Sequence, residues 1–172
     1  RIGTAIGKYW VAKRTPIHAA EALECLGGNG YVEESIMPRL YREAPLNSIW
    51  EGAGNVNCLD VLRAMTKEPD ALQAFFAEIT RPQGADTRLD AAAAHLQHEF
   101  TDLSGLEIRA RRLVEQMALI LQGALLVQYG RPEVADAFCA SRLAGDWGRA
   151  FGTLSPATKF TAILERSRSD LA

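Results

Sequence analysis

A chain of 172 residues that is 48% hydrophobic is long and apolar enough to bury the core of one or two domains. Its formal net charge of -2 offers no overall attraction to nucleic acid or anionic lipid. Divided after Thr66, the first part holds seven basic and seven acidic residues and the remainder twelve and fourteen, so neither part is basic.

The chain begins at Arg1 in the middle of an amphipathic pattern, which gives the expectation of a piece of a longer protein. Three cysteines, Cys25, Cys58 and Cys139, are odd in number and too scattered for a metal cluster, so reduced thiols in a cytoplasmic setting are expected. Each lies among apolar neighbours, where cysteine acts as a small buried hydrophobe. The longest apolar run, Met117 to Val127, is too short to span a bilayer, which takes about 20 residues, and no membrane partner is expected.

In chain order, residues 3–26 read as a helix with Ile6, Trp10, Ile17, Leu23 and Leu26 on its inner side. Thr15-Pro16 either kinks one long helix or starts a second; polar periodicity through Lys13 and Arg14 favours the kink. Gly27-Gly28-Asn29-Gly30 then ends the element, as a helix cap or, with no strand before it, as a weak phosphate-loop signal. Residues 31–35 read as loop and 38–43 as a short helical turn.

Pro45 and Asn47 mark a loop, and Val56, Leu59 and Leu62 recur at helical spacing. A helix from Ile49 to about Met65 follows, with Glu51 in its first turn. Amide N–H groups there have no partner inside the helix, so a ligand oxygen meets main-chain donors and a carboxylate at one point. Gly52, Ala53 and Gly54 keep that approach open, at a cost of about 1 kcal/mol for each helical glycine. The alternative is a first-turn acid that only complements the helix dipole.

Beyond residue 67 the pattern gives helices over 69–79, 87–100, 106–129, 132–143 and 156–167, with Arg81-Pro82-Gln83-Gly84 as the clearest turn and a candidate subdomain boundary. The helix over 106–129 is apolar nearly all round in its last half and is expected to be central. Alternating strand patterns are absent, so the expected fold is all-α, with antiparallel helices joined by short loops.

Arg109, Arg111 and Arg112 form the densest basic cluster and, with Glu107 and Glu115 close by, read as a solvated helix face. His18, His95 and His98 lack partners at ligand spacing; His95 and His98 read as an exposed helical pair, and no metal is expected. Arg42 is placed to meet a cofactor phosphate or to pair with Glu43 or Glu51.

Two segments, Glu24-Cys25-Leu26-Gly27-Gly28-Asn29-Gly30-Tyr31 and Ser48-Ile49-Trp50-Glu51-Gly52-Ala53-Gly54-Asn55, resemble the C-terminal domain of acyl-CoA dehydrogenases in letters, order and separation. Residues 138–143, Phe-Cys-Ala-Ser-Arg-Leu, more loosely resemble the helical extension of the AidB-like branch, associated with the response to DNA alkylation. The resemblance implies a bundle domain over residues 1–66, a helical extension over 67–172, FAD as cofactor and an acyl-CoA thioester as substrate.

On the same resemblance, Glu51 falls on the carboxylate that takes a proton from the α-carbon, while its own main-chain N–H helps hold the enolate oxygen. Trp50, where the family more often has Tyr, walls the acyl pocket, and Gly52 admits the thioester. Ala53 and Asn55 fall where the family has Thr and Gln beside the flavin nucleotide, and Glu24 where it has Gln. Gly27 and Gly28 match the turn that approaches the adenine nucleotide of FAD, often from a neighbouring subunit, which implies a homodimer or homotetramer. A DNA partner, suggested by the AidB-like branch, is disfavoured by the net charge, and a helical assembly module is the third reading.

Overall fold

The computed structural model describes residues 1–168, and among these it contains helices and turns with no strand beyond a single bridge between Trp147 and Leu154. The chain divides into two compact units. One comprises Arg1–Phe75 with Leu103–Ala118; the other takes 76–102 and, within the described residues, 119–168. These packing units and the family boundary expected after residue 66 are different divisions of the chain. Residues 169–172 of the expected extension lie outside the described residues.

In the first unit, α1 (Ile2–Cys25) runs unbroken with Pro16 inside it. Its buried residues are Ile2, Ala5, Ile6, Tyr9 and Ala12, a stripe at helical spacing over the first three turns. Of the expected inner residues only Ile6 is buried; Ile17 and Leu26 are exposed. The apolar letters in the second half of α1 do not mark a buried face, because burial stops at Ala12 and the stripe before it mixes Ile2, Ile6 and Tyr9 with the small residues Ala5 and Ala12. Leu26 closes the helix, Gly27 takes φ 58, and a short turn of helix, α2 (Gly28–Tyr31), follows. So the glycine segment ends α1 as expected and then re-enters helical geometry.

After α3 (Met37–Glu43) and a 3-10 turn over Ala44–Ser48, α4 (Gly54–Lys67) packs along α1. It buries Gly54, Cys58, Val61 and Ala64, all small, so the two backbones approach closely. Val56, which suggested the helical phase in the sequence, is exposed. Arg1 ties the start of α1 to α4 through Asp60 at 3.3 Å and to Glu68 at 3.1 Å.

α5 (Pro69–Thr80) buries Phe75 in the first unit and Ile79 in the second, and α7 (Leu106–Tyr129) buries Leu113, Val114 and Met117 in the first and Ile120 and Ala124 in the second. The 106–129 expectation matches α7 at both ends, because a Gly at each flank leaves little room for drift. Arg111 of α7 lies over the buried Tyr9 ring, 5.9 Å from its centroid, with Nε 3.5 Å from the hydroxyl. The basic cluster over 109–112 is therefore not simply a solvated face: one of its three guanidinium groups covers an aromatic ring.

The second unit also contains α6 (Thr87–Glu99), α8 (Pro132–Phe138) and α9 (Phe160–Ser167). Asp86 caps α6, accepting from the backbone N–H groups of Arg88 and Leu89, while Arg88 reaches on to Asp136 at 2.8 Å. The helix expected over 132–143 changes character at Cys139, where the ladder widens to π geometry through Leu143. Gly123 of α7 sits under this segment: an added Cβ would lie 3.1 Å from Leu143 and 3.3 Å from Leu89. The last helix starts at Phe160, four residues later than expected, since residues 156–159 form turns and only then does the ladder begin.

Candidate active site

The turn before α4 carries the carboxylate singled out in the sequence, but not in the setting expected of it. Glu51 is outside the helix: α4 begins at Gly54, with Ala53 as its N-cap at φ -65 and ψ 167. Glu51 has φ 53, the one positive value on a non-glycine residue among the described residues, and Gly52 follows at φ 97. Two successive left-handed residues cannot continue a helix, so the ladder restarts only after them. Holding Glu51 in this region costs roughly 1 to 3 kcal/mol, which the surrounding contacts must offset.

Those contacts come from both flanking helices. From α1, the Lys8 ammonium donates to the carbonyl oxygens of Asn47 at 2.6 Å and of Trp50 at 2.9 Å. From α4, the Asn57 side-chain amide donates to the carbonyl oxygens of Gly52 and Ala53. The turn is thus clamped immediately before and immediately after Glu51. The carboxylate itself is exposed and makes no ion pair among the described residues.

Ala53 brings no side-chain cap to α4, so the first N–H groups of the helix, at Gly54, Asn55 and Val56, have neither an i-4 carbonyl nor a capping oxygen. Uncapped donors therefore do follow Glu51, although they belong to residues three to five positions further on, and the first of them, Gly54, is buried. Trp50 is 54% exposed and Asn55 is exposed, leaving both open to a ligand. Gly52 is required for its left-handed backbone, whereas Gly54 answers to packing: an added Cβ would meet Lys13 Cε at 2.6 Å and Tyr9 at 3.5 Å. The small residues after Glu51 are thus not all there to admit a ligand.

The glycine turn forms a second place. A cavity of about 940 Å³ is lined by Ala20, Leu23, Glu24, Gly27, Tyr31, Val32, Glu33, Glu34, Pro38, Tyr41 and Arg42. Neither Glu51 nor its neighbours line it, so the expected site residues fall into two groups rather than one. Gly27 and Gly28 have nothing within 4 Å of an added Cβ and present bare backbone. Arg42 pairs with neither Glu43 nor Glu51: it grips Glu33 at 2.7 and 3.2 Å in a two-pronged ion pair. That hydrogen-bonded pair holds the Glu33 carboxyl below, and the Arg42 guanidinium above, its ordinary range.

On α4, Cys58 is fully buried, and that burial pushes its thiol up to about 11 against the pull of Arg111 and Lys13. Cys139 is likewise buried and pushed up to about 11 by burial. Both fit the expected role of small hydrophobes, while Cys25, at the exposed end of α1, does not. Lys8 and Asn57, which shape the turn, carried no signal in the sequence. A lysine one residue before a tyrosine on an amphipathic helix looks like any surface lysine.

The family described as acyl-CoA dehydrogenase, C-terminal domain, matches residues 1–66. Over those residues the chain belongs to the acyl-CoA dehydrogenase family. The matched span of the acyl-CoA dehydrogenase domain contains both the glycine turn and the clamped Glu51 turn.

Relatives extend the likeness. The chain is 42% identical over 142 residues to "Putative acyl-CoA dehydrogenase AidB" of Escherichia coli (strain K12), covering 81% of this chain and 25% of AidB. It is 29% identical over 148 residues to acyl-CoA dehydrogenase family member 11 of Caenorhabditis elegans, covering 75% of this chain and 24% of that protein. Since 142 aligned residues exceed the 66 of the domain match, the likeness to AidB continues past the acyl-CoA dehydrogenase domain. The chain spans about a quarter of the length of these relatives.

The all-α fold is shared with C. elegans ACDH-11, solved in complex with C11-CoA, at a TM-score of 0.68 and 24% identity over 99% of this chain and 33% of that one. Among the described residues no helix is long and apolar enough to cross a membrane.

Proposed function

We propose that this chain is the C-terminal part of an FAD-dependent acyl-CoA dehydrogenase of the AidB-like group, with residues 67–172 as its helical extension. The observation that carries the proposal is Glu51 itself: an exposed carboxylate held in a left-handed turn, clamped from both sides, at the foot of a helix whose first amides are uncapped. A weakly acidic α-proton needs a fixed base and a donor for the oxygen that gains charge as the proton leaves. Glu51 supplies the carboxylate, and its main-chain N–H supplies the donor. Trp50 walls the acyl chain, and Gly52 keeps the thioester path free of a side chain.

The chemistry that FAD would supply when bound is a hydride acceptor for the β-carbon. The residues that would hold its nucleotide fall at two places: Gly27 and Glu24 in the cavity with Gly28 next to it, no side chain in the way at either glycine, and Ala53 and Asn55 at the uncapped end of α4. The cavity fits a ring better than a pyrophosphate. It offers Tyr31 and Tyr41 for stacking, but it is lined by three carboxylates, Glu24, Glu33 and Glu34, against the one guanidinium of Arg42, which Glu33 already occupies. An acyl-CoA as substrate accords with the family and with the C11-CoA bound by the C. elegans neighbour. A homo-oligomer, dimer or tetramer, accords with the resemblance of the Gly27-Gly28 turn to one that meets a nucleotide held by a neighbouring subunit. The cysteines, all free, accord with a cytoplasmic setting.

Anaerobic titration of the full-length protein with acyl-CoA tests this reading. Wild-type flavin should bleach and Glu51→Gln should stay oxidised while still binding the thioester. Bleaching of equal extent and rate in Glu51→Gln would move the base elsewhere.

A further inference from the structure

The Lys8 ammonium sits on the carbonyl end of the peptide unit whose other end is the Glu51 N–H, with Nζ 2.9 Å from the Trp50 oxygen and 2.6 Å from the Asn47 oxygen. In a trans peptide the C=O and the following N–H point in opposite directions, and no cis bond is present among the described residues. Whatever fixes the Trp50 carbonyl therefore aims the Glu51 amide. Lys8 does this with a group that has only donors and a full charge, so the bonds to both carbonyls are charge-assisted. A cation on a carbonyl oxygen also draws density out of the amide, which strengthens its N–H as a donor, as in any chain of polarised hydrogen bonds. Asn57 anchors the other side of the turn with neutral bonds to Gly52 and Ala53 and leaves the Trp50–Glu51 peptide to Lys8.

We infer that Lys8 is a positioning residue for the thioester oxygen: it orients and polarises the Glu51 N–H against which that oxygen gains charge. The inference rests on the proposed reading of the Glu51 turn as the acyl-CoA site. It assigns to Lys8 no proton transfer and no contact with substrate. It accounts for a lysine, rather than an apolar residue, on α1 opposite the turn, and for how the left-handed backbone at Glu51 is held.

The test uses full-length holoprotein, a non-oxidisable acyl-CoA with ¹³C at the thioester carbonyl, and isotope-edited infrared difference spectra of wild type, Lys8→Met, Lys8→Gln and Lys8→Arg. In wild type the bound carbonyl stretch should lie below that of the free thioester. Lys8→Met should lose about half of that displacement or more, Lys8→Gln an intermediate part, and Lys8→Arg little. With an oxidisable substrate, Lys8→Met should lower kcat about ten-fold, less than the 10² or more for deleting an oxyanion donor, with KM nearly unchanged. If Lys8→Met fails to fold, Lys8→Gln against Lys8→Arg carries the comparison. A carbonyl stretch unmoved by loss of the charge, or equal behaviour of the Gln and Arg variants, would overturn the inference. Glu51→Gln keeps its N–H, so its infrared displacement should persist. Flavin reduction surviving in Glu51→Gln would sink the base assignment alone, and an unmoved stretch in the Lys8 variants would sink the Lys8 inference alone.

Discussion

Asn57 donates from its side-chain amide to the carbonyl oxygens of both Gly52 and Ala53, closing the turn before α4 from the helix side. These are the carbonyls that follow Glu51, so Asn57 and Lys8 together fix the strained residue between them. Asn57→Ala should cost about 1 kcal/mol, the usual net worth of such a bond. Asn57→Asp should cost more, because a carboxylate would face two carbonyl oxygens. Urea unfolding of the two variants checks the order; Asp equal to or milder than Ala would contradict it.

The glycine turn gives two substitutions with different physical causes. Gly27→Ala has open space around the added carbon, but the backbone at φ 58 and ψ -141 lies in a region kept almost entirely for glycine, so the strain should cost about 1 to 3 kcal/mol. Gly30→Ala instead drives a Cβ into the Leu23 carbonyl oxygen, backbone against backbone, and the end of α1 must shift. Thermal melts should rank Gly30→Ala as the more damaging of the two.

Asp86 links the stability of the second unit to pH. The hydrogen-bonded Arg88 holds its carboxyl below the usual range, with the backbone N–H groups of Leu89 and Arg88 adding to the effect. A depressed folded-state value contributes stability above the unfolded value of about 3.9 and loses it as pH falls through the folded one. Wild type should therefore lose stability below about pH 4 more steeply than Asp86→Asn, which has no proton to take up there. At neutral pH Asp86→Ala should lose roughly 1 kcal/mol more than Asp86→Asn, because Asn still caps α6. Denaturation midpoints across the acid range provide the measurement.

The thiols should separate by burial. Cys25 is exposed, whereas Cys58 and Cys139 are buried and held near 11, well above neutral pH. A maleimide at neutral pH should label one cysteine per native chain and all three after unfolding in urea. Rapid labelling of Cys58 in the native protein would contradict the packing of α4 on α1.

Much of the helical order could be read from the chain because its punctuation is strong. Gly105 and Gly130 bracket α7, Pro69 opens α5, and both boundaries of each were expected within a residue. The packing phase was harder. On α1 and α4 the buried stripe includes, beside Ile2, Ile6, Tyr9 and Val61, the small residues Ala5, Ala12, Gly54, Cys58 and Ala64, whose burial follows from close backbone approach rather than from hydrophobicity. The Glu51 turn was legible as a place and not as a conformation. Gly52 at φ 97 forces a break that a helical reading of Val56, Leu59 and Leu62 extends across. Lys8 and Arg42 show the same limit from another side, because their partners, Trp50 and Glu33, are chosen by tertiary placement and not by spacing along a helix.

Exchange of the α-proton tests the role of Glu51 most directly, since it isolates proton removal from hydride transfer. Full-length holoprotein incubated in D₂O with an acyl-CoA that cannot be oxidised at its β-carbon should exchange the α-hydrogens, followed by mass spectrometry. In Glu51→Gln that exchange should fall to the rate without protein while the thioester still binds. Undiminished exchange in Glu51→Gln would show that another group removes the proton and that the clamped turn only lines the pocket.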